Sequence, residues 1–196
     1  MSLKLYDFPM SMCAQKVRLV LAEKGVEYET KLIDLNPGKL MQLDEAYLRI
    51  NPNGVVPTLE HDGQFFNDSS AIAEYVDDIF PQHPLSPTNP ADRAHMRTWM
   101  RFFEEVTTPA ARWPSWHYVF IPMLKIMGGM DMVWKLASEQ PHHRSFYSRM
   151  SESGLPAEQV AEAEDALRRT LVRMDKCLSE ALLQKSTVQA GVHPRF

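Results

Sequence analysis

Two short stretches place polar groups where a backbone can hold a ligand. Asn51-Pro52-Asn53-Gly54-Val55-Val56-Pro57-Thr58-Leu59 carries a proline at the end of a turn, and Asp68-Ser69-Ser70-Ala71-Ile72 follows closely. Proline has no N–H to give to a ladder, so Pro57 belongs at a strand entrance. Val56 then keeps backbone polar groups that a bound peptide could pair with. Asp68 and Ser69 stand at a helix start, where free N–H groups suit a carboxylate and the Asp68 side chain suits an ammonium. Together they describe a cradle for an extended peptide with a free α-amino-acid end. Plainer readings stand beside this one: Val56-Pro57 as a tight turn, Asp68-Ser69 as a helix N-cap.

The elements that would position these residues run in order. Residues 3–8 alternate and stop at Pro9, which reads as a strand. Val17, Val20 and Leu21 recur at helical spacing between about Met12 and Lys24, and Gly25 supplies a stop. Residues 28–35 form a second strand that ends at Asn36-Pro37-Gly38, and a helical piece covers about 39–49. Two strands, 57–60 and 64–67, flank His61-Asp62-Gly63, an Asp-Gly hairpin signal. A helix then runs from Asp68 to about Ile79. The order β-α-β-α-β-β-α requires a parallel pair across the crossover helix and an antiparallel final hairpin.

Pro81, Pro84, Pro87 and Pro90 mark residues 81–89 as a linker between a first domain, 1–80, and a second, 90–196. Asn89-Pro90 opens a long helix with Met96, Trp99, Met100 and Phe103 on one face. Thr107-Thr108-Pro109 is expected to kink or break it. Another helix is expected over about 120–136, weakened at Gly128-Gly129. Residues 142–154 read as polar and irregular. A last helix spans about 156–183, with Val160, Ala163, Leu167, Leu171, Met174 and Leu178 as its buried stripe. The second domain is therefore expected to be all-α.

Hydrophobic residues make up 44% of the 196, enough for a core, and the net charge is −4. That balance, without a basic run interleaved with aromatics, argues against a nucleic-acid partner. No stretch of about 18 apolar residues is present, so no membrane span is expected. Cys13 and Cys177 form neither a disulfide framework nor a zinc spacing, which fits a reducing, cytoplasmic setting. His142-His143 share no helix face and have no further ligand nearby, so no metal site is expected and the pair reads as a solvated loop.

The element order and the motifs resemble the glutathione transferase superfamily. Pro9-Met10-Ser11-Met12-Cys13-Ala14-Gln15-Lys16-Val17-Arg18 is similar to its active-site segment, where Ser, Tyr or Cys opens the first helix. Leu21-Ala22-Glu23-Lys24-Gly25 is similar to the end of that helix. Asn51-Pro52-x-Gly54-x-Val56-Pro57 resembles the family's cis-proline turn. Asp68-Ser69-x-Ala71-Ile72 resembles its Glu-Ser-x-Ala-Ile segment, with Asp for Glu. Ile50-Asn51-Pro52, the 75–80 segment and Asp92-Arg93-Ala94-x-Met96-Arg97-x-Trp99 look most like bacterial glutathione-dependent β-aryl etherases. Ser11-x-Cys13 instead resembles the zeta class.

The resemblance implies a thioredoxin-like first domain, with a mixed four-stranded sheet, that binds glutathione as cosubstrate. It carries Val56, cis Pro57, Asp68 and Ser69 as glutathione contacts and leaves Ser11 and Cys13 as competing catalytic groups. A hydroxyl donating to the glutathione thiolate contributes about 1.5–3 kcal/mol, roughly 1–2 pK units of acidification. Ser11 can also be a plain N-cap, and Cys13 a small buried hydrophobe. Tyr6, inside the first strand, is expected to face the core rather than act as the family's tyrosine. Lys39 could meet a carboxylate or lie in solvent. Trp113 and Trp116, with Tyr118 and Phe120, could wall an aromatic substrate pocket or form helical core.

The implied activity is attack of the glutathione thiolate on an electrophilic, aromatic substrate, with β-aryl ether cleavage as one form. Alternatives are a zeta-type isomerase or dehalogenase, and a transferase fold that binds without useful turnover. Residues 184–196 show neither helical periodicity nor the cap of the family's following helix, so the second domain is expected to be short. The resemblance also implies a homodimer.

Overall fold

The computed structural model describes residues 2–151 and 154–189. Four strands form one sheet: β1 (Leu3–Asp7), β2 (Glu29–Leu32), β3 (Thr58–His61) and β4 (Gln64–Asn67), in the order β2-β1-β3-β4. β1 and β2 are parallel, joined over the crossover helix α1 (Met12–Glu23), while β1–β3 and β3–β4 are antiparallel. The β3–β4 turn places Asp62 at φ 47° and Gly63 at φ 80°, as a tight hairpin with both central residues left-handed requires. Leu3 and Leu5 of β1 and Leu59 of β3 pack beneath Val17 and Leu21 of α1. Ile72 and Val76 of α3 (Ser69–Ile79) complete this first core.

The other sheet face is covered by a 3₁₀ turn (Met41–Leu43) and α2 (Glu45–Leu48), a shorter piece than the helix expected over 39–49. Ile33, Tyr47 and Val56 are buried there. Tyr6 packs with this second cluster, tilted against Tyr47, and its hydroxyl donates to Glu60 at 2.8 Å. Burial, with Glu60 added, pushes its pKa to about 12.

Lys24 caps the end of α1 with a fully buried ammonium, 2.7 Å from the Asp77 carboxylate of α3. Asp77 also accepts the N–H groups of Leu85 and Ser86, which pins the proline-rich stretch after α3. Burial raises the energy of the carboxylate, but the Leu85 N–H, the Lys24 ammonium and Ser86 outweigh it and hold the pKa well below the usual range.

The helical region begins with α4 (Pro90–Phe102), capped by Asn89. The chain does not break at Thr107-Thr108-Pro109. A π-turn (Phe103–Thr107) leads directly into α5 (Thr108–Ser115), and a second (Trp116–Phe120) into α6 (Ile121–Ile126). A proline removes one helical N–H and crowds the carbonyl four residues back, and a wider turn ahead of Pro109 and of Pro122 absorbs both effects without a break.

The helix expected over 120–136 divides at Gly128-Gly129, with Gly128 at φ 67°, and resumes as α7 (Asp131–Glu139). The 142–154 stretch is not merely irregular. It contains α8 (Arg144–Tyr147), and Phe146, Met150 and the following Leu155 are buried with Ile121, Leu124, Val133 and Val160. The last helix, α9 (Ala157–Gln189), packs along α5 and extends beyond the expected end at 183. Its stripe is covered only in part: Val160 and Ala163 are buried, whereas Leu171 and Leu178 are 63% and 61% exposed. Residues 190–196, part of the expected irregular tail, lie outside the described residues. No helix among the described residues is long and apolar enough to cross a membrane.

Candidate active site

The loop before β3 is built by residues that satisfy its carbonyls. Asn51, fully buried, donates through Nδ2 to the Val55 carbonyl at 2.7 Å and to Thr58 Oγ1 at 3.0 Å. The Tyr47 hydroxyl donates to the same carbonyl at 2.7 Å. Gly54 has φ 61°, and a Cβ there would stand 3.2 Å from the Gln42 carbonyl, so only glycine fits this turn comfortably. The loop delivers a cis Val56–Pro57 bond. The Val56 N–H and C=O take no hydrogen bond from the described residues, although a backbone pair held off solvent normally finds partners.

Asp68 caps α3, accepting the N–H groups of Ser70 and Ala71 on Oδ1 at 2.9 and 3.0 Å. Its Oδ2 takes no hydrogen bond from the described residues. The backbone there is at φ 74°, ψ 118°, a region that costs a non-glycine residue on the order of 1–3 kcal/mol and recurs at ligand clamps. Ser69 begins the helix and is buried.

Ser11 caps α1: the Ala14 N–H donates to its Oγ at 3.2 Å. Capping uses an oxygen lone pair and leaves the hydroxyl proton free to donate, so the capping and catalytic readings of Ser11 hold together. Cys13 lies two residues on, in the first turn of α1. Burial, then Glu104, pushes its thiol up, against the pull of Lys16, the Ser69 hydroxyl and Arg112. A thiol held protonated is a poor nucleophile.

Ser11, Cys13, Val56, Pro57, Asp68 and Ser69 all line one cavity of about 510 Å³. Its opposite wall comes from the helical region, including Arg112, Trp116, Phe120 and Tyr147. Trp113 does not line it; its ring meets Phe146 edge-on at 5.1 Å in the helical core. Trp116 does both, contacting Phe120 and Tyr147 at 5.2 Å while facing the cavity. Tyr118 is exposed and Lys39 stands away in solvent.

Several residues that line or brace the cavity were not singled out from the sequence. Lys16 Nζ donates to Ser70 Oγ at 2.8 Å and to Glu104, and Ser70 Oγ donates to Glu104 at 2.8 Å, tying α1 and α3 to the first π-turn. Gln140 Nε2 donates to the Gly54 carbonyl at 2.6 Å, tying α7 to the cis-proline loop. Gln42 and Gln140 line the cavity, and their Oε1 atoms are buried without a partner among the described residues. His143 is not solvated: it lies against Arg112 on the wall. These pairs join residues far apart in the chain, so no local spacing signals them. The described residues contain no cluster of metal-binding groups.

The family model described as glutathione S-transferase, N-terminal domain, matches residues 5–84. Protein LigF of Sphingobium is 30% identical over 183 residues, covering 92% of this chain and 70% of that protein. The crystal structure of the β-etherase LigF superposes with a TM-score of 0.79 at 29% identity, over 91% of this chain and 74% of that one. Maleylacetoacetate isomerase of Dictyostelium discoideum is 38% identical over 97 residues, which is 50% of this chain and 44% of that protein. A glutathione S-transferase-I structure with bound lactoylglutathione shares the fold at a TM-score of 0.66 and 21% identity, over 91% of this chain and 72% of that one. With the matched segments falling on the strands, helices and caps that surround the cavity, the chain belongs to the glutathione S-transferase superfamily.

Proposed function

We propose that this protein binds reduced glutathione along the cis-Pro57 loop and the start of α3, and that it transfers the glutathione sulfur to an aromatic electrophile held by the helical wall. The observation that carries the reading is the convergence of Ser11, Val56, Asp68 and Ser69 on one cavity. The free Val56 backbone pair matches an extended peptide, Asp68 Oδ2 matches the ammonium, and the start of α3 matches a carboxylate.

Ser11 donates its hydroxyl proton to the sulfur, which favours the thiolate by about 1–2 pK units. The thiolate forms a C–S bond at the electrophilic carbon while the bond to the leaving group breaks. For a β-aryl ether the leaving group is a phenoxide, which takes a proton from water. The protein's contribution is acidification and placement of the two reactants. The cleavage chemistry is supported by the similarity to LigF along most of the chain.

A second reading, an isomerase of the zeta type, is favoured by Ser11-x-Cys13 and by the similarity to maleylacetoacetate isomerase over half of the chain. A third, binding without useful turnover, keeps the cradle and gives no product. We further propose residues 1–80 as the glutathione-binding domain, 81–89 as linker and the remainder as the acceptor domain. A homodimer in a cytoplasmic, reducing setting completes the reading, and sedimentation at micromolar concentration checks the dimer. Calorimetric titration with reduced glutathione at neutral pH tests the function: saturable binding near one per chain is expected, and no binding would refute it.

A further inference from the structure

The helical wall of the cavity holds a cation that no carboxylate among the described residues pairs with directly; Glu104 acts on it only through space. Arg112, half-buried on α5, makes no ion pair within 4.0 Å among the described residues. Its Nη1 and Nη2 lie 3.2 and 3.0 Å from His143 Nδ1 and Nε2, and its guanidinium carbon is 5.6 Å from the Phe146 ring centre. Burial, then the Arg112 charge, holds His143 near a pKa of about 3, so the imidazole is neutral at physiological pH. A neutral imidazole has one lone pair, so it can answer one of the five guanidinium N–H groups. His142, beside it on the wall, is also shifted down by burial and Arg112 and supplies no negative charge. Neither carboxylate on the cavity forms an ion pair with Arg112: Glu104 meets Lys16 and Ser70, and Asp68 caps α3 through Oδ1.

A desolvated, unanswered guanidinium is costly, and its planar fork matches a carboxylate in two parallel hydrogen bonds. Trp116, Phe120 and Tyr147 line the same cavity and offer faces to a ring. Resting on the reading of this cavity as the acceptor site, we propose that the acceptor is an aromatic electrophile bearing a carboxylate, which Arg112 binds through its guanidinium. The carboxylate fixes the ring against the aromatic wall, so that the electrophilic carbon rather than the acid faces the sulfur bound at Ser11.

The test is calorimetric titration of the full chain at pH 7 with 4-nitrobenzoate and with the neutral 4-nitrobenzamide, each with and without saturating glutathione. The benzoate is expected to bind at least tenfold tighter than the amide. In Arg112→Gln that ratio is expected to fall to near one, with Arg112→Lys between the two. Because the ratio is read within one variant, a loss of folded fraction cancels. A wild-type ratio near one, or a ratio unchanged in Arg112→Gln, would overturn the proposal. So would an unchanged ratio with lost glutathione affinity, which would assign Arg112 to the thiolate. If the wild type ignores glutathione yet keeps the tenfold ratio, the carboxylate site stands and the transferase reading falls.

Discussion

The sheet region and the helical wall meet at one cavity but are held together by different means. Around the sheet, each candidate group sits at a structural joint: Ser11 and Asp68 cap helices, and Val56 precedes a cis proline fixed by Asn51 and Tyr47. In the helical wall, Arg112 reaches His143 across 31 residues, and Trp116 is held by half-buried aromatic contacts. The proposed function of the first region is therefore coupled to stability, because the same residues would serve both. In the second, ring shape and one unanswered charge can change with less consequence for the fold. That difference suits a superfamily that keeps one cosubstrate and varies the other.

The largest effect should come from a joint of the sheet region with no part in the cavity. Asp77→Ala leaves the buried Lys24 ammonium without its carboxylate and is expected to cost about 3–5 kcal/mol, measured by urea denaturation. The pH dependence has a definite sign. The folded pKa of Asp77 lies below the unfolded carboxylate value of about 3.9, so its stabilisation is complete above about pH 5 and is lost progressively as the pH falls through the unfolded value toward the folded one. An acid limb equally steep in wild type and variant would show that this pair does not anchor the region.

Local chemistry explains why much of the sheet region was readable from the chain. Asp68 and Ser11 announce caps from their residue types, Asp62-Gly63 announces its turn, and the parallel β1–β2 pair follows from the crossover helix between them. Arg112–His143 and Gln140–Gly54 announce nothing, because the helices that bring them together are placed by packing. The same limit explains the misread stretches. His142 is exposed as its loop suggests, but His143 looks solvated until α8 folds Phe146 into the core, and Thr107-Thr108-Pro109 looks like a kink or break until the π-turn accommodates the proline. Trp113 and Trp116 are indistinguishable by composition, yet only Trp116 lines the cavity. Leu171 and Leu178 fit a helical stripe by spacing, but no neighbouring helix among the described residues covers them.

The coupling itself can be broken at Ser11. Ser11→Ala should lower kcat/KM with a reactive aromatic acceptor by roughly ten- to a hundredfold, the equivalent of the hydrogen bond to a thiolate. It should also cost about 1 kcal/mol of stability through the lost cap. Unchanged turnover with a lower melting temperature would leave Ser11 a cap alone.

Asp68 allows the two roles to be separated. Asp68→Asn keeps an oxygen for the Ser70 and Ala71 N–H groups and tolerates the left-handed backbone, so stability should hold within about 0.5 kcal/mol. Glutathione affinity should fall severalfold as the charge opposite the ammonium disappears, read by titration calorimetry. Asp68→Ala should lose both. The smallest effect is expected at Cys13: Cys13→Ala should change turnover by less than about twofold, because burial keeps that thiol protonated. Loss of activity there would move the chemistry from Ser11 to the cysteine.

The most direct measurement is the ionisation of the bound cosubstrate. Thiolate absorbance of glutathione, titrated against pH in complex with the wild type and with Ser11→Ala, reads the proposed step itself. The account predicts a bound thiol pKa about 1–2 units below that of free glutathione in the wild type, returning towards the free value in Ser11→Ala. A bound thiol with its free pKa, or a lowered one that Ser11→Ala leaves in place, would contradict it.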